Sequence, residues 1–418
     1  MKSRFVIGLL FWGIAWFLTA APADAAARNP RGRNGDNDRS DQPLSGTMYV
    51  KKQGDDLYIS AKMDARTDIL YWFKRCMFNE LYTFYRVGLL RNADPAPTPA
   101  PDTEPETVLN LAYSDNIGPF AVAGCGWSGA NHKYRERTAR TAYNINYAVE
   151  ADGRHIGRDT LLAADAVTVR VKNIILDPSR PYESPDGTER LRDTLCRETV
   201  TYLIHGNSIE VAAAHRFCNR EPVTIATYYG MQSMFEGETH TLTPGGAYGD
   251  WTKNRKEDLT FTKGDYPAFR RFVEKNGTAY QSTFLLGDGL GDHEWLGERD
   301  IVFIRASYGK SYHKLIADKR VKNGDETHWK GVYTWFAAPL FDDAALLCYT
   351  GTVEGRPALY IDCKKACERA LTLPAPLDAR HYELLDTYGD IRISADGRRT
   401  LKVSSPSSGG SVLLLRRN

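Results

Sequence analysis

Alternation of apolar and polar residues, the pattern of a half-buried β-strand, dominates this chain. The segments "TMYVKK" and "DLYISAKM" alternate on either side of a Gln-Gly-Asp turn and predict a hairpin. The same alternation recurs in "AVTVRVKNIIL", in "VTIATYYGMQSMF", and in "TVTYLIHGNSIEVAAAHRF" around a turn at His205-Gly206-Asn207. Further strands are predicted in "SVLLLRR" and in "HYELLDTYGDIRISADGRRTLKVSS", where Asp396-Gly397 forms the hairpin turn.

Helical patterns are fewer. "YPAFRRFVEKNG", residues 266–277, has a proline near its start, an amphipathic body and a final glycine, and predicts a short helix. "DILYWFKRCMFNELYTFYRVGLL" has apolar residues at helical spacing, but its aromatic and β-branched content favours two strands. The proline-rich segment 93–106 predicts a loop outside any central sheet. No strand–helix–strand rhythm of a doubly wound fold is present, so we predict an all-β fold. It is a large β-sandwich or supersandwich of antiparallel sheets with a few short helices.

The N-terminus has the features of an export signal. A basic head is followed by an apolar run that ends in Ala23-Asp24-Ala25, so we predict a signal peptide at 1–25. Residues 26–46 are polar and rich in glycine and charge, and predict a disordered leader. Residues 47–418 then form a single large β-sandwich domain. The mature chain is expected to be periplasmic or secreted, with no membrane span.

Charge and cysteine content narrow the function classes. The formal net charge of +2 does not select nucleic acid or an anionic membrane as a partner. Seven cysteines in an exported chain predict one to three disulfides, and we favour a bridge between Cys196 and Cys218. Cys363 and Cys367 are four residues apart, which also raises a zinc or redox interpretation. Neither a C-x-x-C motif nor a matching histidine pair accompanies them, so we predict no metal site there.

The segment "GCGWSGANHKYRERTAR", residues 124–140, is the first candidate site. Its glycines allow sharp turns and close approach of a ligand, and Trp127 offers an apolar plate for a sugar ring. Two interpretations remain open: a solvated loop with ordinary surface cations, or a cationic and aromatic floor for an acidic saccharide.

Other segments supply further candidates. "AAAHRF" places His215 after three small residues, and "YYGMQSMF" contains adjacent tyrosines that a strand directs to opposite faces. For each, a purely structural role is the alternative. "SYGKSYHKL", residues 307–315, mixes aromatics and cations that can line the same cleft. "GDGLGDHEWLGERD", residues 287–300, is either a plain acidic loop or a calcium site, although its spacing is not that of an EF-hand. Signature motifs of metalloproteases, α/β-hydrolases, P-loops and dinucleotide folds are absent from the sequence.

"ETVTYLIHGNSIEVAAAHRF", "VTIATYYGMQSMF" and "DNIGPFAV" followed by "WSGANH" resemble the galactose-mutarotase-like β-supersandwich of exported bacterial proteins of polysaccharide use. Related chains carry Gly-Gly-Asn-His where this chain has Ala130 as the second residue. The resemblance implies a carbohydrate-active protein and, from related lyases, β-elimination on a uronate. Such chemistry needs a His or Tyr base, groups that neutralise the carboxylate and a proton donor, without a cofactor.

The resemblance and the residues together lead to three hypotheses. The first is an exported polysaccharide lyase acting on a uronic-acid-containing glycan. A glycoside hydrolase of the same architecture, with carboxylates such as Glu236 or Glu294, is the second, and a non-catalytic glycan-binding protein is the third. The candidate catalytic residues are His132, His215, Tyr134 and Tyr229. The candidate substrate-binding residues are Trp127, Asn131, Lys133, Arg137, Arg140, Tyr228 and Gln232.

Overall fold

The computed structural model describes residues 47–99, 105, 107–111, 116–136, 139–234, 238–242, 248–252, 259–261, 271–277, 279–286, 302–305, 310–407 and 409–417. The predicted signal peptide, most of the predicted leader, Arg137 and the acidic loop at 287–300 lie outside these ranges. The division of the chain into leader and single domain stays a prediction.

The described residues form 32 strands and two short 3-10 helices, at Tyr134–Glu136 and Ala379–His381. The first sixteen strands are β1 Met48–Gln53, β2 Asp56–Lys62, β3 Thr67–Cys76, β4 Leu81–Arg91, β5 Thr107–Leu111, β6 Phe120–Val122, β7 Gly126–Ser128, β8 Ala142–Ala151, β9 Arg154–His155, β10 Thr160–Ala164, β11 Val167–Leu176, β12 Tyr182–Glu183, β13 Glu189–Arg190, β14 Thr194–His205, β15 Ser208–Phe217 and β16 Val223–Met234. The others are β17 Glu238–Leu242, β18 Tyr248–Thr252, β19 Leu259–Phe261, β20 Arg271–Asn276, β21 Ala279–Leu285, β22 Val302–Arg305, β23 Lys310–Val321, β24 Glu326–Phe336, β25 Phe341–Asp342, β26 Leu346–Val353, β27 Arg356–Cys363, β28 Cys367–Thr372, β29 Tyr382–Tyr388, β30 Arg392–Ala395, β31 Thr400–Ser405 and β32 Ser411–Arg416.

These strands pair into three large antiparallel sheets and three smaller ones. The first sheet has the order β10-β1-β2-β3-β4-β5. The long sheet has ten strands in the order β18-β17-β20-β21-β24-β15-β14-β11-β8-β9. A six-stranded sheet, here called the platform sheet, has the order β19-β22-β23-β16-β6-β7. The smaller sheets are β25-β26-β27-β32-β29, β28-β31-β30 and β12-β13.

The main hydrophobic core joins the three large sheets. Along β11, Val167, Val169 and Val171 are buried, while Arg170 and Lys172 on the opposite face are exposed, as a strand with one buried face requires. The core cluster draws residues from the first, long and platform sheets, among them Tyr71, Tyr202 and Tyr228. Because the buried faces of all three sheets meet in this cluster, the all-β sandwich prediction is confirmed.

Several local predictions are also confirmed, and one is wrong. The ambiguous segment 68–90 forms the hairpin of β3 and β4, and the turns at His205-Gly206-Asn207 and Asp396-Gly397 separate paired strands. The helix predicted at 266–277 is wrong over Arg271–Asn276, which forms β20 between β17 and β21. Hydrogen-bonded pairing of β20 with a strand on each side outweighs the local helical pattern of its residues. The described residues contain no helix long and apolar enough to cross a membrane.

All seven cysteines are free thiols in the structure. The bridge predicted between Cys196 and Cys218 is therefore not formed, although Cys218 donates its backbone N–H to the carbonyl of neighbouring Leu195 at 2.8 Å. The thiols of Cys363 and Cys367 lie 3.8 Å apart, at the end of β27 and the start of β28. Within the described ranges, no group of three or more potential ligands is arranged to hold a metal ion.

Candidate functional site

Four aromatic side chains form a row across one surface of the platform sheet. Tyr312 lies on β23, Tyr229 on β16 and Trp127 on β7, and His132 follows in the loop after β7. Ring centroids are 5.0 Å apart from Tyr312 to Tyr229, 5.6 Å from Tyr229 to Trp127 and 5.2 Å from Trp127 to His132. Between Tyr229 and Trp127 runs β6, where Ala121 pairs with Trp127 and its small side chain leaves room for the rings. We call His132, Trp127, Tyr229 and Tyr312 the aromatic row.

The rings of His132, Trp127 and Tyr229 stack with an offset, whereas Tyr312 meets Tyr229 edge to face at 62°. The plane of the Trp127 ring is tilted by only 21° from the ring of His132 and by 24° from the ring of Tyr229. The ring centroids are nevertheless farther apart than the ~3.5–4.0 Å that separates carbon atoms in contact, so the rings are displaced sideways. Offset stacking is the preferred geometry of such pairs. Trp127, His132 and Tyr229 are each half-buried, so the row also presents ring surface to solvent.

An irregularity in β16 separates the two adjacent tyrosines. The register with β23 shifts between Tyr228 and Tyr229 and again after Gly230, and Met231 has a φ of 48°. Bulges of this kind redirect side chains, and left-handed backbone at a non-glycine residue costs about 1–3 kcal/mol. Tyr228 is fully buried, whereas Tyr229 joins the aromatic row.

The loop after β7 is held in place by the buried carboxamide of Asn79. Its Nδ2 donates to the backbone oxygens of Ala130 and His132, at 2.8 and 2.9 Å, and to the Thr141 hydroxyl at 3.1 Å. Its Oδ1 accepts from the backbone N–H groups of Thr141 and Ala142, at 3.1 and 3.4 Å. Asn79 therefore fixes both the loop that carries His132 and the start of β8.

This loop turns through left-handed backbone at two consecutive residues. Gly129 has a φ of 91° and Ala130 a φ of 45°. A side chain at positive φ is unfavourable, so a glycine at position 130 would adopt this backbone conformation at a lower cost than Ala130 does.

A belt of polar side chains crosses the inward face of the long sheet. Asn173 on β11 lies opposite Glu198 on β14, Glu198 opposite His215 on β15, and His215 opposite Thr327 on β24. Asn173 Nδ2 donates to Glu198 Oε1 at 2.8 Å, Glu198 Oε2 lies 3.1 Å from His215 Nε2, and His215 Nδ1 lies 3.1 Å from Thr327 Oγ1. Asn144 extends the chain by donating to Asn173 Oδ1 at 2.9 Å. We call these five residues the polar belt.

The polar belt fixes the orientation of each member. A carboxylate accepts hydrogen bonds, so His215 Nε2 carries a proton and donates to Glu198, which leaves Nδ1 to pair with the Thr327 hydroxyl. Both ring nitrogens of His215 are used, and only 2% of the residue is exposed. The structure thus gives His215 an orienting contact with Glu198 and no route to a substrate proton.

A small pocket of about 40 Å³ opens where the polar belt reaches the loop that carries His132. Glu198 and Asn173 of the belt line it together with Asn131 of the loop. Its remaining wall is largely apolar and includes Met77, Leu81 and Ile117.

Gly118 brings the pocket close to the aromatic row. It lines the pocket and has a φ of 103°, and a Cβ added there would lie 1.5 Å from the carbonyl oxygen of Tyr229. Only glycine permits this approach. Together with Asn131, whose neighbour His132 is in the row, Gly118 joins the two parts of the candidate site.

Two of the three predicted cations lie on described residues beside His132. Lys133 and Arg140 face each other across a single β-bridge. The Lys133 ammonium lies 4.9 Å from the centroid of the Phe78 ring, and Arg140 forms an exposed 2.7 Å ion pair with Glu80. Exposed ion pairs contribute only ~0–1 kcal/mol, so Glu80 holds Arg140 only weakly.

Three further candidates lie in the core. Tyr134 packs with Leu176 and Leu191, and Gln232 is fully buried. Tyr228 donates its hydroxyl to the carbonyl of Ile117 and accepts from Trp329 Nε1, and burial holds the pKa of its hydroxyl well above the usual range. Tyr134, Tyr228 and Gln232 are each fully buried within the part of the chain that the structure describes.

Sequence patterns contain signals for some residues that the sequence analysis missed. Asn173 on β11 and Glu198 on β14 occupy inward-facing positions. The neighbouring inward positions are apolar, for example Val171 and Val200. A polar residue at an inward position indicates a buried network. Tyr312 lies in the segment 307–315, whose mixture of aromatic and cationic residues predicts that it can line the same cleft. No local pattern distinguishes Asn79 from an ordinary turn asparagine.

Comparisons with known proteins return fold neighbours only. No family model matches the chain, and no curated protein matches it. Among solved structures, the galactosidase domain of an alpha-galactosidase–sucrose kinase is similar with a TM-score of 0.39 and 10% identity, covering 69% of this chain and 42% of that one. A heparinase III follows with a TM-score of 0.30 and 8% identity, covering 76% and 40%.

A putative aldose 1-epimerase from Klebsiella pneumoniae has a TM-score of 0.29 and 8% identity, covering 67% of this chain and 79% of that one. The chain spans about two fifths of the galactosidase and of the heparinase. All three TM-scores are below 0.5, so the function is inferred from the residues of the candidate site and not from these similarities.

Proposed function

We propose that this protein is an exported polysaccharide lyase that cleaves a uronic-acid-containing glycan by β-elimination. The observation that carries the proposal is the aromatic row, which brings three predicted site residues, Trp127, His132 and Tyr229, onto one surface. Lys133 follows His132 in the chain and pairs with Arg140 across a β-bridge.

The aromatic row suits an extended saccharide. Sugar rings present apolar C–H faces that pack on aromatic rings, and a row that spans several strands offers successive contacts along a chain. The row includes Trp127 at its centre and His132 at one end, next to the cations. A glycan that follows the row brings a uronate carboxylate to Lys133 and Arg140.

The elimination then needs a base and a proton donor. His132 is the candidate base, because an imidazole suits proton abstraction near neutral pH. It removes the C5 proton, the electron pair forms the C4–C5 double bond, and the bond from C4 to the glycosidic oxygen breaks. The leaving oxygen takes a proton from Tyr229, the candidate donor. Lys133 and Arg140 neutralise the carboxylate and thereby stabilise the enolate that develops.

The carboxylates of the site favour elimination over hydrolysis. Glycosidases use a pair of carboxyl groups that flank the scissile bond. Among the described residues of the aromatic row and the pocket wall, Glu198 is the one carboxylate, and both its oxygens are engaged by the polar belt. Glu236 and Glu294, named for the hydrolase hypothesis, lie outside the described residues.

The test is the ultraviolet absorbance of the unsaturated uronate when purified protein is mixed with a panel of uronate polysaccharides. We expect absorbance to rise with the wild type and to be lost in His132→Ala. It should be retained in His328→Ala, whose side chain is exposed on the outer face of β24. New reducing ends without the chromophore would support the hydrolase instead, and binding without turnover would support the binding protein. Either result contradicts the proposal.

A further inference from the structure

The pocket beside the aromatic row has the size of a small substituent rather than a sugar ring. Its volume is about 40 Å³, and a single water needs roughly 10–15 Å³ of such space. About three to four non-hydrogen atoms therefore fit inside. A pyranose ring stays outside the pocket, on the aromatic row, and only a group that projects from it can enter.

The pocket wall contains both apolar and polar side chains. Met77, Leu81 and Ile117 are apolar, whereas Thr83, Asn116, Asn131, Asn173 and Glu198 are polar. Among the polar residues, Glu198 supplies an acceptor and Asn131 an amide. No lysine or arginine is present among the described residues that line it. A substrate carboxylate or sulfate would face the Glu198 carboxyl without a cation to compensate, and like charges in one site repel.

Glu198 is rigid and still has room to accept. Each oxygen takes one hydrogen bond within the polar belt, from Asn173 and from His215. A carboxylate has about four lone-pair positions, so both oxygens can accept another donor. The polar belt thus holds the Glu198 carboxylate as a fixed acceptor in the pocket wall, and an N–H group of a ligand is the matching donor.

We propose that this pocket binds the acetamido group of an N-acetylated amino sugar. The methyl group packs on Met77, Leu81 and Ile117, the amide N–H donates to Glu198, and the carbonyl oxygen accepts from Asn131. The inference rests on the proposed function, and it narrows the substrate to a glycan in which uronate and N-acetylhexosamine residues occur together.

The test measures binding apart from turnover, by calorimetry on the His132→Ala protein. The ligands are four forms of one uronate–hexosamine oligosaccharide: N-acetylated, N-butanoylated, N-sulfonated and free amine. We expect the N-acetylated form to bind at least tenfold more tightly than the N-butanoylated form, which is too large, and the N-sulfonated form, which is repelled. Equal affinity for all forms would show that the pocket holds water only. Tighter binding of the free amine would identify an ammonium site. Either result overturns the inference.

Two variants link this selectivity to the pocket. Met77 is 43% exposed, so Met77→Ala removes an apolar contact with little risk to the fold. We expect it to weaken binding of the N-acetylated form about three- to tenfold, which corresponds to one or two lost methylene contacts. Leu161→Ala, which is 52% exposed on β10, is the matched control and should change nothing. Equal weakening of all four ligands by Met77→Ala would contradict the acetamido assignment.

Failure of this inference differs from failure of the proposed function. Acetyl-dependent binding without an unsaturated product would retain the pocket assignment and reject the lyase. An unsaturated product formed equally well from glycans with and without N-acetyl groups would retain the lyase and reject the pocket assignment.

Discussion

Asn79 offers the sharpest test of how the candidate site is built. The change Asn79→Ala removes a side chain that belongs to neither the aromatic row nor the pocket wall. It binds the backbone of His132, a member of the row, and of Ala130, which lines the pocket. Its carboxamide makes three donor contacts, of 2.8 to 3.1 Å, and two acceptor contacts, of 3.1 and 3.4 Å. If the loop owes its position to Asn79, the change should release it.

The magnitude follows from the number of bonds that can form at once. A carboxamide has two N–H groups, so at most two of the three donor contacts are fully made, in addition to two accepted bonds. Each bond contributes about 1 kcal/mol net, and the 3.4 Å bond contributes less. The buried N–H groups of Thr141 and Ala142 also lose their acceptor. We expect Asn79→Ala to lower the free energy of unfolding by about 3–4 kcal/mol.

Two measurements check this prediction. The urea unfolding midpoint, followed by tryptophan fluorescence, reports stability, and trypsin digestion reports exposure of the loop through Lys133, Arg135 and Arg140. Asn146→Ala is the control, because Asn146 is exposed, and it should change stability by less than about 0.5 kcal/mol. A loss below about 1 kcal/mol together with unchanged cleavage would refute the role given to Asn79.

Three other predictions follow from single contacts. Gly118→Ala should destabilise the protein by about 2–4 kcal/mol in denaturant unfolding, because its Cβ would clash with backbone. Gly124→Ala, with open space around it, should cost only about 1–2 kcal/mol, and equal losses would contradict the close approach. Burial raises the pKa of Glu274 from 4.5 to about 7, so the folded state binds more protons in that window and stability falls as pH rises through it. In thermal unfolding measured across this pH range, Glu274→Gln should not show this fall in stability. If the stability of the variant and of the wild type changed with pH in parallel, the raised pKa of Glu274 would be contradicted. Oxidised glutathione should join Cys363 to Cys367, with loss of two free thiols and two hydrogens by mass spectrometry, whereas an unchanged thiol count would show that the pair does not close.

Sequence patterns predict the fold well because alternation reports directly which face of a strand is buried. The valines of β11 and the hairpin of β3 and β4 illustrate this, since each strand's pattern matches its observed burial. The helix prediction at Arg271–Asn276 is wrong because the apolar pattern of these six residues is typical of a helix. Their strand conformation depends instead on pairing with β17 and β21. Such long-range partners leave no trace in the local pattern.

The site was predictable only in part. Trp127, His132 and Tyr229 were identified by residue type, and the structure brings them together. Their alignment depends on the small residue Ala121 and on the bulge in β16, which no spacing rule reveals. His215 is a candidate base by residue type, but its own segment does not reveal the cross-strand register that pairs it with Glu198.

The most direct test of the proposed chemistry is the proton NMR spectrum of a digest of a uronate glycan containing N-acetylhexosamine. We predict the vinyl proton signal of a C4–C5 unsaturated uronate at the new non-reducing end, present with the wild type and absent with His132→Ala. New chain ends without this vinyl proton, or a vinyl signal that persists in His132→Ala, would contradict the mechanism assigned to the aromatic row.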